Sequence, residues 1–552
     1  MDTSTIEAPL SSPIALQPAV ARPPATTGRS GGSDPQFKFQ LGNLLFAQGE
    51  FAGAATLFSE VLAARPDFAA AHNNLGNALS KLGQIAAAVA HYRRAVALVP
   101  TMAEAHNNLG CALFLLGQLG AAIAHYKEAI GLDAESPAPY TNLVLALHYV
   151  PGVTSALIGE VTRRWAASLP RNLTRPSYRT VKDLARPLRI GYVSGDFRNH
   201  PVAYFIESIL TAHDREAVEV FCYGNAPVGD ETTARIAEAA DRWRDISRLT
   251  DPEAARRIVD DAIDILIDLS GHTAGNRLTL FARKPAPIQC TWLGHVGTTG
   301  LREIDYILAD RFVIPPQDDG YYSERPYRLP NSYLCFTPPS EDIAVGALPA
   351  LRAGAPTFGC FNNLLKVNGT VVDLWSSLLA AVPQSRLYLK TAQLGDAAIR
   401  RGLTSEFAAR GIAGDRLRLA GAAPRRELLA AYNEVDIALD PFPFGGGTTT
   451  LEALWMGVPT IALRGDRFVG RVGESVLTTL GLAELVAASP ADYLAKAVVL
   501  AGDIDRLVAL RAGLRRRLVA SPLCDARSFA RDLETAYRAM WLAGRRNRSR
   551  AA

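Results

Sequence analysis

The stretch His72-Asn73-Asn74-Leu75-Gly76 returns as His106-Asn107-Asn108-Leu109-Gly110, 34 residues further on. The same interval separates Gly83 from Gly117, His91-Tyr92 from His125-Tyr126, Ala95 from Ala129, and Pro66 from Pro100. An earlier copy is visible in Leu41-Gly42, Gly49, Phe58 and Pro66, and a partial later one in Tyr140, Asn142, Leu143 and Leu147. A fixed period of this length means one supersecondary unit stacked on copies of itself, each too small to bury its apolar face alone. Small residues allow close helix packing, and a proline ends each second helix. Residues 36–148 are therefore expected to form an α-solenoid, with about three helix pairs over residues 36–134.

Period and pattern resemble the tetratricopeptide repeat, two antiparallel helices per unit. A solenoid offers a concave groove, and two readings of the asparagine pairs (Asn73, Asn74, Asn107, Asn108) stand side by side. They hydrogen-bond an extended peptide in the groove, or they bond to one another inside the stack. His72, His91, His106 and His125 recur at the repeat period, which makes them packing or groove positions and not metal ligands. Residues 1–35 are rich in Pro, Ser, Thr, Ala and Gly and are expected to stay disordered. Residues 149–187, with Pro151, Pro170, Pro176 and Pro187 around one helical pattern, read as a helical linker.

From Leu188 the pattern changes to short apolar strands separated by helices, the alternation of a parallel, doubly wound sheet. Candidate strands are Leu188–Val193, Val218–Tyr223, Ile263–Leu269 and Ile304–Leu308; a Pro-rich interval from Val313 to Pro356 follows. A second series holds Thr357–Phe361, Arg386–Leu389, Arg416–Leu419, Val435–Leu439 and Thr460–Leu463. Two nucleotide-type lobes are expected, residues 188–345 and 346–552, with a ligand cleft at the carboxyl ends of the strands. In the second lobe DIALDPFPFGGGTTTLEALWMGVP (Asp436–Pro459) runs strand, glycine loop, helix start. Glycines let a backbone approach a ligand, and a helix N-terminus turns unpaired N–H groups and a positive dipole end towards an anion. The loop is neither a Walker A motif nor GxGxxG.

Net charge bounds the partners. With 58 basic and 54 acidic residues the chain carries +4, which points to no nucleic acid. Six scattered cysteines without CxxC spacing fit reduced thiols and a cytoplasmic setting. No apolar run reaches membrane-spanning length.

Four polar clusters fall at candidate strand ends: Gly195 to Pro201 with His200, Asp268 to Thr273 with His272, Gly294 to Gly300, and Phe361 to Lys366. A histidine there suits proton transfer near neutral pH. A lysine there suits the charge of a diphosphate leaving group.

With these stretches in order, the chain resembles the tetratricopeptide-bearing protein O-linked N-acetylglucosamine transferases in their shorter bacterial form. LRIGYVSGDFRNHPVAYF, RKPAPIQCTWLGHVGTTG, FGCFNNLLKV, the glycine–threonine segment and SPLCDARSFARDLETAYRAMW carry the resemblance, over about residues 36–545. It implies a two-lobed GT-B glycosyltransferase fold and no cofactor or required metal. It also implies inverting transfer of N-acetylglucosamine from UDP-N-acetylglucosamine to serine or threonine hydroxyls of proteins, held by the repeats.

By the same resemblance His200 matches a histidine once assigned as general base, and Lys366 a lysine on the diphosphate. Thr448 and Thr449, preceded by Gly447, match phosphate-binding threonines; Asn363 stands where a glutamine is usual, and Glu452 where an aspartate holds the ribose. Ala423-Pro424-Arg425 matches a segment against the uracil, with Arg425 in place of lysine, and His272 and Asp268 fall in a loop near sugar and acceptor. The chain departs from the pattern at Leu428 (usually a histidine near the nucleotide), Gly445 (usually polar) and His295-Val296 (usually tyrosine-proline). The alternatives are a different donor on the same fold, GDP-fucose or UDP-glucose, or a repeat scaffold with a decayed catalytic half.

Overall fold

A computed structural model describes residues 34–170 and 185–551, together with Leu16, Leu173, Pro176 and Tyr178. Most of the tail expected to lack structure, and part of the expected linker, lie outside the described residues. The chain divides into two compact units. One runs up to Val150 and includes Arg164–Leu169 and His272–Ala274; the other holds Pro151–Arg163, Pro170–Gly271 and Gly275–Ala552.

In the first unit three helix pairs stack in order: α1 (Pro35–Ala47) with α2 (Phe51–Ala64), α3 (Ala69–Lys81) with α4 (Ile85–Leu98), and α5 (Ala103–Leu115) with α6 (Leu119–Leu132). A seventh helix, α7 (Pro137–His148), caps the series. The repeated Leu-Gly has a steric cause. A Cβ on Gly42, Gly76 or Gly110 would stand 2.6–2.7 Å from the ring of Phe58, Tyr92 or Tyr126 on the paired helix. Glycine on the first helix is what seats the aromatic of the second.

The asparagines form a ladder inside the stack. Asn74 Nδ2 donates to Asn43 Oδ1 at 2.8 Å, Asn108 to Asn73 at 3.0 Å, and Asn142 to Asn107 at 2.9 Å. Within each pair Asn73 donates to Asn74 and Asn107 to Asn108. All five of Asn73, Asn74, Asn107, Asn108 and Asn142 are buried. Of the two readings, the inter-helix one describes these bonds. The second and third repeats also tie their own helices through a histidine pair: His72 Nδ1 lies 3.0 Å from His91 Nδ1, and His106 Nδ1 3.1 Å from His125 Nδ1.

The second unit contains two parallel sheets. The first has the strands β1 (Leu188–Ser194), β2 (Val218–Gly224), β3 (Arg242–Asp245), β4 (Ile265–Asp268), β5 (Ile288–Thr291), β6 (Tyr306–Ala309) and β7 (Arg325–Arg328), in the order β3-β2-β1-β4-β5-β6-β7. The second has β8 (Thr357–Cys360), β9 (Arg386–Lys390), β10 (Leu417–Ala420), β11 (Ile437–Leu439), β12 (Thr460–Leu463) and β13 (Val486–Ala487), in the order β10-β9-β8-β11-β12-β13. Central strands such as β1 and β4 are apolar on both faces because helices cover both, as parallel sheets require.

In the first sheet periodicity marks neither edge strand. β3 reads Arg-Trp-Arg-Asp, and β7 reads Arg-Pro-Tyr-Arg inside the interval taken as loop. Charge and proline are tolerated there because an edge strand leaves one row of backbone groups unpaired. The last helix, Ala526–Ala551, returns to the first sheet. Its buried Phe529, Leu533, Ala536, Tyr537, Met540 and Trp541 recur at helical spacing, and Tyr537 Oη lies 3.0 Å from Tyr192 Oη on β1.

Candidate active site

Strand order fixes where the site is assembled. β8 and β11 are neighbours at the middle of the second sheet, so the loops leaving their carboxyl ends face each other. After β8 the backbone carries Asn362 and Lys366; after β11 it passes Asp440 into Gly445–Gly447 and the helix Thr448–Trp455. Lys366 Nζ donates to Gly445 O at 2.7 Å and to Asn362 Oδ1 at 3.1 Å, and lies 4.3 Å from the centre of the Phe444 ring. Thr449 Oγ1 donates to the same Asn362 Oδ1 at 3.0 Å. Asn362 thus joins the lysine loop to the threonine helix.

Gly446 N donates to Asp440 Oδ1 at 2.5 Å, which pins the middle of the glycine loop. A Cβ on Gly446 would stand 2.6 Å from both Thr449 Oγ1 and Thr450 Oγ1, so only glycine fits. The helix cap is Gly447 and no side chain caps the helix, which leaves first-turn N–H groups for a ligand. The buried Thr450 Oγ1 has no partner among the described residues. Burial pushes the Lys366 ammonium well below the usual lysine range, and the Asp440 charge opposes that shift. Asp440 is pushed up by burial, against the pull of Lys366 and the Gly446 amide. The arrangement is a cationic, N–H-lined cradle at a helix start, the chemistry that suits an anion such as phosphate.

A second group stands beside it. Arg425 Nη1 donates to Glu452 Oε1 at 2.7 Å, with Glu452 only 2% exposed. Arg425 follows Ala423 and Pro424, and its guanidinium lies 4.0 Å from the centre of the Tyr204 ring. Asn363 Oδ1 accepts Gln393 Nε2 at 2.7 Å, a contact that brings in the carboxyl end of β9. Leu428 packs with Phe361 and Tyr432.

In the first sheet His200 is half-buried. Its Nδ1 accepts Val202 N at 3.3 Å and lies 3.7 Å from Asp196 Oδ2. Burial lowers its basicity and Asp196 opposes that shift. With Nδ1 accepting, the neutral ring carries its proton on Nε2. Asp268 is buried at the end of β4, where its carboxylate accepts Ser270 N, Gly271 N and Thr291 Oγ1. Burial raises its pKa, against those three bonds. His272 belongs to the solenoid unit: Nδ1 lies 3.4 Å from Thr141 Oγ1, and Trp165 packs edge-on against its ring. The buried His295 sits on Gly271.

Lys366, Thr448, Thr449 and Gly447 are therefore brought together, and Arg425 with Glu452. Reasoning from sequence missed Asn362, Asp440, Tyr204 and Gln393. Asn362 and Asp440 lie inside the motifs, immediately beyond apolar strands, and that position was the available signal.

The model of the family described as Glycosyl transferase family 41 matches residues 170–337 and 346–533, well over half of the chain. The chain belongs to glycosyl transferase family 41. Tetratricopeptide repeat models match residues 39–101 and 74–137. Among curated relatives, a protein of Hordeum vulgare named probable UDP-N-acetylglucosamine–peptide N-acetylglucosaminyltransferase SPINDLY is 39% identical over 72% of this chain and 43% of its own length. The Arabidopsis thaliana protein with the same enzyme name and the designation SEC is 35% identical over 69% of this chain and 41% of its own length. The chain thus spans less than half the length of these relatives. A solved lysine-to-methionine variant of Thermobaculum terrenum O-GlcNAc transferase superposes with a TM-score of 0.87 at 40% identity, covering 94% of this chain and 99% of that one. Among the described residues no helix is long and apolar enough to cross a membrane.

Proposed function

We propose that the protein transfers N-acetylglucosamine from UDP-N-acetylglucosamine to serine or threonine hydroxyls of proteins, with inversion at the anomeric carbon. The observation that carries this reading is the cradle of Lys366, Gly445–Gly447 and Thr449 on an uncapped helix start. The acceptor oxygen attacks the anomeric carbon, the bond to the diphosphate oxygen breaks, and negative charge grows on the leaving diphosphate. Lys366 and the N–H groups near Thr448 stabilise that charge, the part a metal ion plays elsewhere. As arranged, His200 Nε2 is a hydrogen-bond donor. For His200 to take the acceptor's proton, its ring proton must move to Nδ1, beside Asp196. Asp268 then shapes the acceptor side, Asn363 and Ala423-Pro424 the nucleotide side, and the solenoid unit, which includes His272, holds the protein acceptor.

The test is thermal stabilisation by UDP, UDP-N-acetylglucosamine, UDP-glucose, GDP and GDP-fucose, followed by mass spectrometry of a serine-containing peptide. Ligands that bind only the folded chain raise its melting point. Stabilisation by UDP and UDP-N-acetylglucosamine with a peptide mass gain of one N-acetylhexosamine is expected. Response to GDP-fucose alone overturns the donor, and response to no nucleotide overturns the enzyme reading.

A further inference from the structure

The chain passes between its two sheets twice. It leaves the first sheet at Arg328, the end of β7, and enters the second at Thr357 on β8. It returns after the helix Ile504–Val519, which is tied beside β11 by Arg511 Nη1 donating to Val435 O at 2.6 Å. The helix beginning at Ala526 then lies on the first sheet. One free thiol sits on each crossing, Cys335 on the outward one and Cys524 on the return.

The crossings touch at these two residues. Phe336 N donates to Leu523 O at 2.6 Å. The one cis peptide bond among the described residues is Phe442–Pro443, so Cys335–Phe336 and Leu523–Cys524 are trans. In a trans peptide the amide hydrogen lies beside the preceding Cα, and the carbonyl oxygen beside the following one. The bond therefore holds the Cα atoms of Cys335 and Cys524 within about 7 Å of each other, the span that a disulfide bridges. Cys335 is fully buried, and Cys524 is half-buried against the same apolar core. Burial pushes both thiols up to about 12, and the neighbouring Cys524 adds to the shift at Cys335. Thiolate is scarce at neutral pH, so the pair exchanges slowly.

The outward crossing also reaches a contact between the sheets' loops. Thr337 donates its N–H to Tyr204 O at 2.7 Å and its hydroxyl to Ser208 Oγ at 2.9 Å. The Tyr204 ring carries the Arg425 guanidinium, 4.0 Å from its centre.

We infer that Cys335 and Cys524 are a redox-sensitive staple across the two crossings, a dithiol in the reduced chain and a disulfide in the oxidised one. The oxidant is a low-molecular-weight disulfide. The Cys524 thiolate, the more accessible, attacks one of its sulfurs, giving a mixed disulfide and one small thiol. The Cys335 thiolate then attacks Cys524 Sγ and releases the second small thiol. The protein loses two protons and two electrons, and the small disulfide takes them up as two thiols. The new bond closes a long loop, which constrains the unfolded chain, and it fixes the segment that holds Tyr204 under Arg425.

The full chain is incubated with oxidised glutathione or with dithiothreitol at about pH 8.5, where more thiolate is present. Disulfides are then mapped by mass spectrometry of unreduced peptides. A Cys335–Cys524 bond within one chain is expected, with a melting point raised by about 3 °C or more and restored by dithiothreitol. Cys524→Ala should abolish both changes; Cys335→Ala serves if that variant does not fold. Turnover, read as UDP release, should fall about threefold or more in the oxidised chain and recover on reduction, because the stapled crossings move less freely. No disulfide, or a different pairing, overturns the inference. A Cys335–Cys524 bond that leaves both melting point and turnover unchanged overturns it as a switch. A reduced chain without turnover overturns the functional reading instead, and the staple is then decided by pairing and melting point.

Discussion

Both sheets of the larger unit end their strands in polar loops, yet the two sets of loops use their polar atoms differently. After β4 the Asp268 carboxylate accepts two backbone amides of its own loop and the hydroxyl of Thr291 at the end of β5. Glu324, ahead of β7, accepts Thr298 Oγ1, Thr299 N and Thr299 Oγ1 and so fixes the loop that follows β5. These buried carboxylates shape backbone. After β8 and β11 the polar atoms converge from separate loops: Lys366 and Thr449 on one asparagine oxygen, with a helix start and the unpartnered Thr450 hydroxyl beside them. A polar residue at a strand end marks a ligand site where polar hydrogens are left over beside it, and a structural brace where a buried carboxylate takes up the donors around it.

Lys366→Met gives the sharpest test of that contrast. Turnover is expected to fall by at least about 10²-fold, because the cation on the leaving diphosphate is lost. The melting point should fall as well, because buried Asp440 loses the cation that offsets its burial, so turnover is read per folded protein. Near-normal turnover in that variant, measured by release of UDP, would break the comparison on the second sheet's side.

Asp268→Ala tests the other side. Three buried donors lose their acceptor, so stability in urea should drop by about 2–3 kcal/mol, while UDP affinity stays close to wild type. A large loss of UDP affinity with unchanged stability would make Asp268 a ligand-binding group and erase the distinction.

The smallest effect is expected in the solenoid. Burial lowers the pKa values of His72, His91 and His125, and for His91 and His125 the partner histidine adds to it. Their folded values lie below the unfolded value, so the stability they contribute is present above the usual histidine range and is lost as pH falls through the folded values. The melting point should decline on acidification from about pH 7 to about pH 5, and His72→Gln should flatten that slope slightly. An acid profile unaffected by substituting all three histidines would show that the pairs carry no linked protons.

What the sequence determined by itself follows from periodicity. The 34-residue repeat dictates helix pairs, and the glycines facing Phe58, Tyr92 and Tyr126 can be read as close-packing positions before any coordinates exist. Most central strands are legible because burial on both faces writes them as apolar runs, although the short β5 (Ile-Gln-Cys-Thr) was not among the candidates; the glycine–threonine segment is legible because its chemistry is local. β3 and β7 were hidden, because an edge strand needs neither apolar faces nor a full set of amides. Tertiary structure alone decided which polar residues meet. Arg425 and Tyr204 are 221 positions apart in the chain (425 less 204), yet the guanidinium rests on the ring. The asparagine pairs carried two readings until stacking joined each to the next repeat. Periodicity is a property of one segment against its own core, whereas a site is a meeting of segments, and which segments meet is settled by how the sheets pack.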